Sequence, residues 1–258
     1  MTLYHAFEVL IAIHITLGAP GLLCFWLPLI VKKGGAQHRF WGRIFVVSML
    51  GAAIAAMGMA TLSVIAPMPT HPHLIEHPEF SDPELVRVVF GWMMLYLAIL
   101  TINLAWYAWS CSRNKRDMAS NRRPFNIALQ VILTVAAVNC AYQGFMIGLP
   151  LLMGFSIVGF ATVATNIHFM YRRNPRPIDW LLEHIKAIIG TGISVYTAFF
   201  AFGAVRIMPE AALSPALWSV PLITGLLLIL YHQRKVLVAY DRRRATAVRP
   251  AKVAVGAK

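Results

Sequence analysis

Acidic residues are scarce in this chain. It has 10 Asp and Glu against 23 Lys and Arg, and charged residues make up only 13% of its 258 positions. A soluble domain carries about a quarter charged residues, so an ordinary soluble globular protein is excluded. Cysteine is scarce too. Cys24, Cys111 and Cys140 are odd in number and fit no metal-binding spacing, which leaves them a structural role as small apolar residues. There is no phosphate-binding glycine loop, no CxxCH haem attachment and no HExxH run. No lysine lies deep in the last apolar stretch, which removes the retinal proteins that a seven-helix pattern would suggest. Acidic pairs for a midplane cation path are missing as well; Glu8 is the only carboxylate well inside an apolar stretch, and it lies near one end.

What the chain has is hydrophobic length. Apolar residues are 59% of the total. They fall into seven stretches, 7–31, 41–66, 86–110, 125–148, 151–171, 185–206 and 215–233. A helix needs roughly 20 such residues to cross the hydrocarbon core, and all seven are too long for strands. The expected fold is therefore an all-α integral membrane protein, a seven-transmembrane-helix bundle over residues 1–240 with a basic tail at 241–258.

Charge orients the bundle. Lys32, Lys33, Arg39 and Arg43 share the first loop, and every second connection after it is basic. Of 23 Lys and Arg, only Arg87 and Arg206 fall on the other side. Positive-inside sorting produces this bias. It predicts an inner (cytoplasmic) membrane location, the N-terminus outside and the C-terminus inside. The net charge of +13 is then an inner-face charge, suited to the lipid bilayer and its anionic headgroups rather than to nucleic acid. No cleaved signal is expected. The tail, with Arg242, Arg243 and Arg244, is expected to be disordered or to lie on the lipid surface.

Small residues mark packing faces. Gly51, Ala55 and Gly58 share one face of the second stretch. In the sixth, His184, Ala187, Thr191, Ser194 and Ala198 recur at steps of three and four, which predicts a central position. His14 lies within the first stretch, followed by Gly18-Ala19-Pro20-Gly21, where a kink or break is expected. An ionisable group inside a membrane is costly and faces the bundle interior. Asn139, Gln143 and Tyr196 are its expected partners; its role is that of a satisfied neutral histidine or of a ligand and proton carrier.

A second set, His38, His168, His184 and His232, falls at the inner ends of the stretches. Neutral imidazole binds transition metals and haem iron. Arg39 and Arg43, at i and i+4, could hold an anionic group. Plain interfacial residues are the alternative for all of these. The outer segment Pro67–Glu84 carries five prolines and His71, His73 and His77; it reads either as a metal-binding strand or as a solvated acidic loop.

Three motifs occur together: His14-Ile15 with Gly18, Lys33-Gly34-Gly35 with His38-Arg39 and Gly42-Arg43, and Glu183-His184 with Thr197-Ala198-Phe199. In these the chain resembles a bacterial family of predicted multi-span membrane proteins classed as a domain of unknown function (2306-like). The resemblance covers stretches one, two and six and implies that His14, His38, Arg39, Arg43 and His184 are the positions to test first. The expected function is a histidine-lined site for haem, a transition metal or a quinone-like molecule, with a redox or electron-transfer role. A small-molecule transporter or permease is one alternative. A non-catalytic accessory or assembly subunit, with membrane-complex partners or as a homo-oligomer, is the other.

Overall fold

The computed structural model describes residues 3–76, 80–200 and 214–255. Among them the structure is all helix, with no strand. The order is α1 (Leu3–Cys24), α2 (Leu27–Ile30), α3 (Ala36–Ile65), α4 (Pro67–Thr70), a 3-10 turn (Pro72–Leu74) and α5 (Pro83–Val86). A π-helical stretch (Arg87–Met93) then leads into α6 (Met94–Asn114). It is followed by α7 (Met118–Asn121), α8 (Pro124–Met146), α9 (Pro150–Met170), α10 (Asp179–Ala198) and α11 (Pro215–Val255).

Among the described residues six helical segments are long and apolar enough to cross a membrane: Leu3–Ile30, Ala36–Ile65, Pro83–Asn114, Pro124–Met146, Pro150–Met170 and Leu217–Thr246. The expected sixth stretch corresponds to α10, which is not among them. Asp179, Glu183, His184 and Lys186 crowd its first two turns and lower its hydropathy, and residues 201–206 lie outside those described. Large apolar side chains such as Leu23, Val47, Ile54, Phe145 and Leu227 point outward. Exposed apolar surface on this scale marks a lipid-facing or partner-facing protein.

Two expectations are corrected. α6, not α10, lies at the centre: it packs on α3, α8 and α10, and Tyr96, Leu100, Leu104, Tyr107, Ala108 and Cys111 bury its different faces. The small-residue face of α10 is buried as predicted, with Ala187, Thr191 and Ser194 turned inward against α6 and α11. The tail is not disordered along its length either, because α11 continues as helix through the arginines to Val255.

The small face of α3 does what its spacing predicts. A Cβ at Gly51 would stand 2.8 Å from Leu17, and one at Gly58 would stand 3.0 Å from Leu10. α1 can therefore lie close against α3, near enough for a side chain to reach the main chain of its neighbour.

Candidate functional site

The break in the first stretch falls later than its glycines and proline suggest. α1 runs through Pro20 to Cys24 and breaks at Phe25–Trp26. There Trp26 N bonds to Leu23 O at 3.4 Å rather than four residues back, and Tyr196 Oη of α10 donates to the freed Leu22 O at 2.8 Å. The Trp26 indole donates in turn to Tyr196 Oη at 2.6 Å. Phe25 fills the gap left by Gly192 on α10 and touches Phe45 and Tyr196. Pro28, in the first turn of α2, cannot donate back to Cys24 O, so a local breaker and the tertiary partner Tyr196 both act at this break.

Past it, α2 ends on exposed carbonyls. Lys33 Nζ donates to Pro28 O at 2.8 Å and to Leu29 O at 2.5 Å, and His38 Nδ1 donates to Pro28 O at 3.1 Å. Cationic donors at a helix C-terminus satisfy its orphan carbonyls and its dipole. Gly34, at φ +72°, makes the turn that returns the chain to α3. Burial and the nearby Lys235 hold the Lys33 ammonium below the usual lysine range.

His184 of α10 meets this hairpin. Its Nδ1 donates to Ala108 O of α6 at 2.9 Å, and the adjacent Ile185 shares an apolar cluster with Trp41 and Ile44 of α3. A carbonyl only accepts, so each Nδ1 carries the proton and each Nε2 keeps a free lone pair. Lys33 also links the pair to α11, where it acts on His232 together with Lys235.

The structure does not gather the other predicted residues here. His14 Nδ1 donates to Ala52 O of α3 at 2.8 Å, so its partner is main chain and not Asn139, Gln143 or Tyr196. The close α1–α3 approach makes that bond reachable. Arg39 is exposed and donates to Gly34 O at 2.6 Å. Arg43 is exposed, with no ion pair among the described residues, and His168 is exposed at the end of α9. In the segment Pro67–Glu84 His71 is buried between Phe7 and Phe90, bonded through Nδ1 to Thr70 Oγ1 and Pro67 O; its ring lies 6.0 Å from that of the exposed His73. Burial pushes the His71 imidazole down to about 4. His77 lies outside the described residues. The solvated-loop reading also needs correction, because Thr70, Leu74 and Phe80 are buried with His71. Among the described residues no group of three or more His, Cys, Asp and Glu could hold a metal ion.

Sequence reasoning missed two polar clusters. Glu183 accepts from Tyr107 Oη at 2.9 Å and from Lys186 Nζ at 2.5 Å, and Lys186 also donates to Thr165 Oγ1 of α9 at 2.9 Å. Between α6, α8 and α9, Asn103, Asn126, Gln130 and Asn166 form a chain of amides, all buried. An inventory of amides as well as ionisable groups within the apolar stretches would have found the second. Asp179 lies at the start of α10. It is buried and anchors the preceding turn, accepting from Arg176 Nε at 2.8 Å, Arg176 N at 2.7 Å and Arg172 at 2.9 Å.

No family model, no curated protein and no solved structure matches this chain.

Proposed function

We propose that the chain is a seven-span protein of the cytoplasmic membrane that carries electrons through a haem held by His38 and His184. One observation carries the reading. Two histidines, His38 on α3 and His184 on α10, each spend Nδ1–H on a main-chain carbonyl and keep Nε2 free, beside one apolar cluster that joins the two helices. That bond fixes the tautomer and makes the imidazole a better ligand for iron. A bare metal ion fits less well, because it needs more protein donors than this pair provides. Haem needs only axial donors from the protein and would supply one-electron chemistry at the site.

The surroundings suit its charge. Lys33, with Lys235 near it, places positive charge beside His38, where propionates or anionic lipid headgroups would be held. Those basic groups lie on the face that positive-inside sorting assigns to the cytoplasm. α10 serves as the seventh span in this reading, shielded by α6 and α11. The likeness to the family of unknown function is part of the same proposal.

The test is a reduced-minus-oxidised absorbance spectrum of the purified protein. Haem bands are expected in the wild type and in His14→Leu, and are expected to be lost in His38→Ala and His184→Ala. Wild-type protein without haem bands, from cells supplied with haem precursors, overturns the reading. A transporter or permease is the second reading. The Glu183–Lys186 pair, inside the bundle and shared between α9 and α10, is the observation that favours it.

A further inference from the structure

Three amides meet in the interior between α6, α8 and α9. Asn103 and Asn166 have no exposed surface, and Gln130 is 3% exposed. Their orientations are determined by their neighbours. Asn103 Nδ2 donates to Leu129 O at 3.1 Å and Gln130 Nε2 donates to Asn126 O at 3.4 Å. Those acceptors are main-chain carbonyls, so neither amide can be turned round. Asn103 Oδ1 and Gln130 Oε1 must therefore face Asn166, whose Nδ2 donates to both at 3.2 Å. Turning Asn166 would set three oxygens against one another.

This leaves Asn166 Oδ1 buried and without a donor, the one such side-chain atom among the described residues. A polar group left unpaired in an interior costs its full desolvation, and more so where lipid replaces water. Buried polar atoms of this kind are met by a bound donor.

We propose that the Asn103–Gln130–Asn166 triad is a buried binding site for one compact O–H or N–H donor, the class that includes water and the ammonium ion, held by Asn166 Oδ1. Packing limits the size, since Leu133 and Ala137 of α8 are fully buried one and two turns beyond Gln130. The three oxygens make the site electronegative. A neutral donor enters it at less cost than an ion, because no carboxylate is among the triad's partners. Water is accordingly the expected occupant at rest, and ammonium is the cation of matching size and chemistry.

The test is solid-state NMR of full-length protein in lipid nanodiscs, with Asn and Gln side chains labelled with 15N. Magnetisation transfer from water to the Asn166 amide, at mixing times too short for exchange through the bulk, is expected for a bound water. Transfer that appears only on adding 15N-ammonium chloride, and not sodium chloride, identifies ammonium as the occupant. Either result supports the site. A dry Asn166 amide under both conditions overturns it. Asn166→Leu should abolish the transfer at Gln130 and Asn103 as well; transfer that persists there places the donor elsewhere and also overturns the proposal. The wild-type measurement decides alone if the Leu variant does not fold.

Discussion

Gly192→Ala tests how the break in the first helix is held. A Cβ at Gly192 would run into the Phe25 ring, well inside van der Waals contact. The ring has no room to step aside, because Phe45, Trp26 and Tyr196 hold it at centroid distances of 5.6, 5.0 and 5.8 Å. Overpacking of a filled interior costs about 1–3 kcal/mol, and the immobile ring puts this case near the upper end. Phe25→Leu shortens the offending side chain. In that background the added methyl group should cost less than ~1 kcal/mol, giving a coupling of about 1–2 kcal/mol between the two positions. The assay is equilibrium unfolding in detergent micelles across the four members of the cycle, followed by tryptophan fluorescence. Equal cost of Gly192→Ala in both backgrounds would refute the claim that Phe25 packs into the Gly192 gap.

Other outcomes follow from the same geometry. His71 is neutral in the folded protein down to about 4, whereas an unfolded histidine takes up a proton near 6.5. Stability is therefore full above pH 6.5 and falls as the pH drops towards 4, by about 3 kcal/mol. His71→Phe should flatten that part of the unfolding profile, and an unchanged slope would sink the assignment. Asp179→Ala removes one main-chain and two guanidinium donors from their acceptor; with both arginines partly exposed, the loss should be about 2 kcal/mol. Faster tryptic cleavage at Arg172 to Arg176 reports it, and wild-type cleavage rates would contradict it. Reporter fusions should place residue 75 outside and the basic loop 32–43 inside; a cytoplasmic signal from residue 75 would reverse the topology.

Hydrophobic length and small-residue spacing made much of the architecture legible, because both act within a single helix. The six long apolar helices and the α1–α3 contact through Gly51 and Gly58 were readable for that reason. In the proposed reading His38 and His184 stand out from the other histidines only through their partners Pro28 O and Ala108 O, which are main-chain atoms with no sequence signature. The break at Phe25–Trp26 was misplaced because Gly18 to Gly21 drew the reading away from Pro28, and because Tyr196, 170 positions after Trp26, also holds it. The amide chain was missed because Asn103, Gln130 and Asn166 are each tolerable alone and become a site only when three helices meet.

The central claim is that His38 and His184 together hold one haem. Titrating purified haem-free protein with haemin tests it most directly. The wild type should saturate at one haem per chain with the spectrum of a histidine-ligated iron, and the His38→Ala/His184→Ala protein, equally folded by circular dichroism, should show no saturable binding. Equal stoichiometry and equal spectra for both proteins would contradict it.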